Sequence, residues 1–336
     1  MGAFAAEARF GVLRGVQARD AAARYALNCF QQAQWVEAIA RARSRSHEFV
    51  AVRAQCDGGT DAHLFGGEHR RFGLSVFESM PMMGYGGWVS THALSVDFER
   101  DLTTRWLAAC AWPLVEITCA PGRVAALPAA PVGTSVLRWA GLRRFAPADT
   151  QTHLLDLSGD DAALLGRARP RMRSYLRQID RQGYVFGRAG REALEAFYHW
   201  YRRGSQQWQV AATHLYPIEF FAALCDGQHA DIWQVSRDGQ ALGAAVMLVG
   251  ADDVLYLASG IDRTEGPFSP MDALIWHVAR HYRDRGFKTL NLGASEGLES
   301  VRRFKEKFGA VDVAYRRVTF CLPRVFNAWR TRVAEQ

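Results

Sequence analysis

The feature that most limits what this chain can fold into is a change of hydrophobic period that runs in the same order twice. In the first half, the alternating runs "HEFVAVRAQ", "AHLFGG" and "RRFGLSVFESMP" carry the turn signals Asp57-Gly58-Gly59 and Gly66-Gly67, which predicts a three-stranded meander. A helix ("DFERDLTTRWLAACAW") and a strand ("PLVEITCAPG") follow it. An alanine-rich helical pattern from about Ala18 to Ala42 precedes it, with Tyr25, Cys29, Trp35, Val36 and Ile39 toward one face. The second half opens on a strand ("HLLDLS") and one helix, with Leu164, Leu165, Ala168, Met172, Tyr175, Leu176 and Ile179 at steps of three and four and Gly183 as its stop. Strand "YVFGR" and two helices lead to a second meander, "DIWQVSRDG", "QALGAAVMLVG" and "DVLYLASG", with a hairpin at Asp238-Gly239. A helix from about Pro270 to Arg285, strand "FKTLNLG", a helix within "NLGASEGLESVRRFKEKFGA" and strand "DVAYRRVTFCL" complete the order.

A chain of 336 residues suits two domains of roughly 150 residues each, and 49% apolar content is enough to bury both cores. The Pro- and Ala-rich "PGRVAALPAAPVG" marks the loop between halves, so the expected domains are 1–150 and 151–325, with 326–336 as a tail. Lys and Arg total 41 against 34 Asp and Glu, a formal +7 that favours an anionic substrate or polyanionic partner. The cysteines form no CxxC pair and have no histidine at ligand spacing, so reduced thiols are expected and zinc and a disulfide framework are not. Glu7 and Arg9 interrupt the start where a secretory segment would be apolar, and no run approaches the about 18 apolar residues of a membrane span. A soluble cytoplasmic protein is expected, with peripheral contact at the inner membrane surface open.

Several side chains stand out on residue grounds alone. Arg169, Arg173, Arg177 and Arg181 are four apart, a stripe along one face of the expected helix, and Arg167 and Arg171 widen its start. Such a face can track phosphates, though a solvated surface has an equal claim on it. Ser295 and Glu296 sit where a strand gives way to a helix, a common place for polar groups to meet ligands; either could instead cap the helix. Tyr85 is flanked by Gly84, Gly86 and Gly87, which permits close backbone approach to a ligand. No charged residue stands four positions from Lys305, so helix ion pairing does not account for it.

The element order is that of the acyltransferase fold of the Gcn5-related (GNAT) superfamily, and the first half repeats much of it. "RARPRMRSYLRQIDRQGYVF", "DALIWHVARHYRDRGFKTLNLG" and above all "VRRFKEKFGA" resemble the FemAB family of aminoacyl and acyl transferases, over roughly residues 155 to 320; "SMPMMGYGGWVS" extends the likeness into the first half. The resemblance implies an α/β (α+β) chain of two tandem GNAT-like domains, each a mixed, mostly antiparallel sheet flanked by helices. It implies that Lys305 stabilises the oxyanion formed on acyl transfer, with Phe304 as an apolar wall; Glu296, by its place at the strand end, is the candidate proton acceptor. Arg171 and Tyr175 match the position where the family contacts the phosphates of its nucleotide-linked acceptor, and Tyr256 matches an aromatic residue of its groove.

The implied activity moves an aminoacyl or acyl group from an activated donor to an amine or hydroxyl of a cell-envelope or exopolysaccharide precursor, small or lipid-linked. The donor would be an aminoacyl-tRNA or an acyl thioester. Coenzyme A is disfavoured, because "SGIDRTEGPFSPMDAL" lacks the Gly-rich turn with which coenzyme A enzymes of this fold hold the pyrophosphate. The helical hairpin that contacts transfer RNA in some members is not evident, so tRNA is a possible partner only; DNA is not expected. The alternative is a tandem GNAT-fold module without catalysis that binds RNA or an anionic glycan.

Overall fold

The structure, a computed structural model, describes residues 8–43, 47–56, 59–71, 73–82, 84–128, 148–207, 215–262, 269–295 and 298–321. By contact the chain divides into two compact units, neither continuous in sequence: residues 1–26, 30–150 and 314–336 form the first, and 27–29 and 151–313 the second. The last described strand therefore serves the first unit from Ala314 onward.

The first unit runs β1 (Ala8–Arg14), α1 (Gly15–Tyr25), α2 (Ala33–Arg43), β2 (Glu48–Cys56), β3 (Asp61–Arg71), β4 (Leu74–Ser79), β5 (Trp88–Ser90), α3 (Val96–Ala109) and β6 (Leu114–Thr118). Its sheet order is β1-β2-β3-β4-β6, then β13 (Val311–Cys321), with β5 paired to β3. Only β4 and β6 run parallel within that path; Arg317 to Cys321 pair antiparallel with β6. Helix α3 begins where the Ser95 hydroxyl accepts from the Phe98 amide, with Asp97 and Glu99 at the positive end of the helix dipole. It buries Leu102 and Trp106 on the sheet, and the Trp106 ring meets Phe77, Trp88 and Trp112 edge-on.

Two expectations fail here. The single helix from Ala18 to Ala42 is two helices, because 27–29 pack into the second unit, where His229 Nε2 lies 2.6 Å from the Cys29 carbonyl. Tertiary contacts there outweigh helix propensity. Gly66 and Gly67 lie inside β3 rather than at a turn: a Cβ on Gly66 would come within 2.6 Å of the Phe77 ring, so the sheet needs the missing side chain for packing.

The second unit runs β7 (Ala148–Asp156), α4 (Asp161–Arg167), α5 (Pro170–Leu176), a short 3-10 turn (Ile179–Gln182), β8 (Val185–Ala189), α6 (Leu194–Gln207), α7 (Ile218–Asp226), β9 (Ala230–Arg237), β10 (Gln240–Val249), β11 (Asp253–Ile261), α8 (Pro270–Arg283), β12 (Thr289–Ala294) and α9 (Glu299–Glu306). Its sheet order is β7-β12-β11-β10-β9-β8, with β11 and β12 the parallel pair. Helix α8 buries Leu274, Ile275, Val278 and Ala279 in the core beside Trp233, Val235, Ala245 and Val254 of the meander. Both units thus show three antiparallel strands, a helix and a strand parallel to the third. Among the described residues no helix is long and apolar enough to cross a membrane.

On neighbouring parallel strands of the first unit, Glu78 and Glu116 stand at the same register. Burial first, and the adjacent Glu116 carboxylate second, push Glu78 up to about 8, against the opposing charges of Arg71 and Arg317. The folded state therefore keeps a proton that the unfolded chain releases near its ordinary value of 4.5, so stability falls as pH rises from that value through about 8. The expected loss is at most about 1.4 kcal/mol per pH unit. Thermal melts should show Glu78→Gln, which fixes the neutral form, less sensitive to pH over this window than wild type; the same pH dependence of melting in both proteins would refute the retained proton.

Candidate functional site

The sheet of the second unit opens between its two parallel strands. β11 and β12 pair only at Asp253 with Thr289, Val254 with Leu290 and Leu255 with Asn291. From Tyr256 onward β11 keeps its β10 partner but, among the described residues, is no longer paired with β12, and this parting of the two strands is the notch. The sequence of β12 accounts for the parting. Asn291, almost fully buried, accepts through Oδ1 from the Gly293 amide at 2.8 Å and from the Thr152 hydroxyl at 2.6 Å. This side chain satisfies a backbone donor that a ladder would otherwise take, and the pairing of β12 with β7 is irregular between Asn291 and Ala294. Gly293 adopts φ +77°, which a side chain would strain.

Helix α9 brings Lys305 to this point. Only 3% of Lys305 is exposed, and its ammonium donates to the Gly293 carbonyl at 2.9 Å and the Ala294 carbonyl at 2.5 Å. A buried ammonium requires such acceptors, so Lys305 is a structural part of the notch and not the surface lysine that its helix position allows. On the other side of the same carbonyl lies His153 of β7, with Nδ1 3.1 Å from the Gly293 oxygen and Nε2 2.8 Å from Asp312 Oδ1. Buried Ser295 places its hydroxyl 3.4 Å from His153 Nε2 and 3.5 Å from Nδ1. Its side chain does not cap α9, whose N-cap residue is Leu298. Glu296 lies outside the described residues.

Tyr256 stands where β11 leaves β12, half-buried, with its hydroxyl donating to Ser259 Oγ. Burial pushes its phenol up to about 12. Phe304 packs edge-on to Phe308, and the Lys307 ammonium sits 4.5 Å from its ring centre while pairing with Asp272 at 2.6 Å. Tyr175 donates to the Ser269 carbonyl at 2.9 Å and so ties α5 to the start of α8; burial first, and Asp272 next, raise its phenol well above the usual range.

The arginine stripe is not a helix face. Pro170 starts a new helix, so the expected continuous helix is α4, α5 and a 3-10 turn. Arg169 precedes α5 and pairs with Glu306, while Arg173 turns back to the Gly166 and Ala168 carbonyls at 3.0 and 3.1 Å, where it neutralises the end of α4. Arg167 binds Asp156 and Ser158. Arg171, Arg177 and Arg181 remain exposed and, among the described residues, meet no carboxylate. The break and the "FKEKFG" segment meet: a Cβ on Gly309 would lie 2.3 Å from the Arg167 carbonyl, and the Arg169 amide donates to the Lys307 carbonyl at 3.0 Å.

In the first unit Tyr85 is core. It is 6% exposed, meets Phe30 edge-on at 4.8 Å and lies 5.9 Å from the Tyr315 ring. Packing does ask for Gly84, where a Cβ would be 2.9 Å from the Met80 carbonyl, whereas Gly87 has open space and is set apart by its φ of +130°. The place that corresponds to the notch is filled there, because Gly86 bridges Cys119 in parallel and its amide donates to the Thr118 carbonyl at 3.0 Å. Sequence reading missed His153, Asp312, Asn291 and Thr152. The signal was present in "THLLDL", where polar Thr152 and His153 open a strand that is otherwise mostly apolar.

Residues 166–306 match the family model of the acetyltransferase (GNAT) domain, and no curated protein matches the chain. Among solved structures, FemX is similar over 97% of this chain and 100% of its own, at 13% identity and a TM-score of 0.66. A conserved protein of unknown function from Bacteroides thetaiotaomicron VPI-5482 is similar over 89% of this chain and 95% of its own, at 8% identity and 0.53. The fold is the GNAT acyltransferase fold in tandem, mixed α/β with mostly antiparallel sheets. FemX shares that tandem fold with this chain; the likeness is one of fold.

Truncation of a buried aromatic typically costs about 3–5 kcal/mol, so Tyr85→Ala should lower the melting temperature by many degrees. Circular dichroism melts read this directly, and an unchanged midpoint would return Tyr85 to the ligand-binding candidates.

Proposed function

We propose that the chain is a transferase that moves an aminoacyl or acyl group from an activated donor to an amine or hydroxyl of a cell-envelope or exopolysaccharide precursor, with the notch of the second unit as its acyl site. The observation that carries this reading is the Lys305 ammonium, buried beside Gly293 at the parting of β11 and β12. Attack on an activated carbonyl places negative charge on its oxygen, and a fixed cation in a poorly solvated site stabilises that charge without reorganising. The edge of β11 from Tyr256 onward, which among the described residues pairs with no strand on that side, can align an extended acyl group, so positioning comes from the backbone. A module that only binds RNA or glycan gains nothing from burying an ammonium under an open sheet edge.

The start of α8 bears on the donor. A helix N-terminus can hold a pyrophosphate, but α8 carries the buried Asp272 carboxylate in its first turn, neutralised by Lys307. A carboxylate there competes with a phosphate, which supports an aminoacyl-tRNA or a thioester other than coenzyme A; the turn before α8, residues 263–268, lies outside the described residues. Exposed Arg171, in the first turn of α5, and Arg177, at its end, are the proposed phosphate contacts of a nucleotide- or lipid-linked acceptor, and a lipid-linked one would bring the protein to the inner membrane surface. The resemblance to the FemAB family supports this acceptor class.

Single-turnover transfer with aminoacyl-tRNA and acyl-thioester donors against nucleotide-linked amino-sugar and peptide precursors tests the reading. Lys305→Met should lower turnover by roughly a hundredfold to a thousandfold. It should also lower the melting temperature, since two buried carbonyls lose a donor at about 1–3 kcal/mol each, so rates are compared below both transitions. Full turnover in the variant would remove the oxyanion role.

Arg171→Glu with Arg177→Glu should leave the melting temperature unchanged, because both side chains are exposed, and should weaken binding of UDP-N-acetylglucosamine with a flatter salt dependence. Equal calorimetric affinity for wild type and variant would show that these arginines are ordinary surface.

A further inference from the structure

The polar cluster under the notch contains a histidine that the proposed chemistry does not use. His153 is 2% exposed, and each of its ring nitrogens faces an oxygen: Nδ1 the Gly293 carbonyl at 3.1 Å, Nε2 the Asp312 carboxylate at 2.8 Å. A carbonyl can only accept, so the contact at Nδ1 is a donation from the ring to the Gly293 oxygen. That arrangement rules out two familiar roles. A general base needs a lone pair aimed at the attacking group, whereas each ring nitrogen here faces Gly293 or Asp312. A Ser-His-Asp nucleophile needs the serine and the carboxylate on opposite nitrogens, whereas the Ser295 hydroxyl lies 3.4 and 3.5 Å from the two nitrogens, at the outer limit for a hydrogen bond.

Building on the transferase reading above, we infer that His153 is a positioning residue for the transfer: its Nδ1–H and the Lys305 ammonium grip the one Gly293 carbonyl, and Asp312 holds the ring in place. A carbonyl oxygen has two lone pairs, and here two donors from different elements, β7 and α9, share it. The peptide they hold follows a residue at φ +77° within an irregular stretch of β12, where the strand ladder does little to fix it. The ring therefore fixes the carbonyl, and the carbonyl fixes where the lysine's charge stands in the notch. Asp312 also supplies a negative charge beside the two donors, which lowers the cost of placing them together.

The test begins with the full chain and needs no substrate. In a long-range proton–nitrogen NMR spectrum of the 15N-labelled protein, His153 Nδ1 should carry a proton, as donation to the Gly293 carbonyl requires. A wild-type ring with no proton on Nδ1 overturns the inference. Crystal structures supply the second readout: His153→Leu should move Lys305 Nζ away from the Gly293 oxygen, and His153→Gln, whose amide can still donate, should restore it. If the leucine variant does not fold, the wild-type spectrum and the glutamine structure still decide. With whichever donor supports transfer, His153→Leu should cut kcat by roughly tenfold to a hundredfold with little change in KM. An unmoved lysine and unchanged kcat would sink the positioning role and leave the transferase reading standing; loss of transfer in Lys305→Met but not in His153→Leu separates the two in the same way.

Discussion

Taking an ammonium group out of water is among the most expensive steps a fold can make, and the second unit makes it at Lys305. Much of the local structure follows from meeting that cost. Two successive carbonyls must turn toward one point, so β12 has to leave its regular ladder. A left-handed residue is needed to turn them, and Gly293 supplies it; the amide displaced from the ladder needs a new acceptor, and the Asn291 side chain supplies that. The helix that carries the lysine must end close against α4, and Gly309 permits the approach. The open edge beside Tyr256 is the visible result.

Much of the architecture was readable because hydrophobic period is set by the geometry of each element, and that period survives in the sequence wherever an element is half-buried. The meanders, α3, α8 and the final helix and strand could all be read that way. The errors share another cause. The split of the first long helix and the run of β3 through Gly66 and Gly67 were decided by contacts with residues distant in sequence, Cys29 with His229 and Gly66 with Phe77. Pro170, by contrast, was a local signal outweighed by a periodic pattern that continued across it.

Legibility of the site divides along similar lines. Lys305 and Ser295 belong to one short segment with a family pattern, and both do lie at the notch. His153 comes from a strand some 140 positions earlier than Gly293, and Asp312 from the strand beyond the helix, so no spacing within the sequence joins them. The arginines show the reverse case: regular spacing was present, yet a helix break sent Arg169 and Arg173 to internal partners and left their neighbours exposed.

The use of β13 by the first unit has a consequence for how the protein is made. Thr319 donates to Glu116 across 203 positions of chain, so the edge of β6 has no partner until nearly all of the second unit has left the ribosome. At typical rates of synthesis that interval is roughly 10–40 seconds. Throughout it the nascent first unit carries an apolar, unpaired strand edge, the kind of surface that recruits chaperones or other chains. Its gene cannot be cut between the two halves and still encode a complete first unit, which ties the two folds to a single translation product.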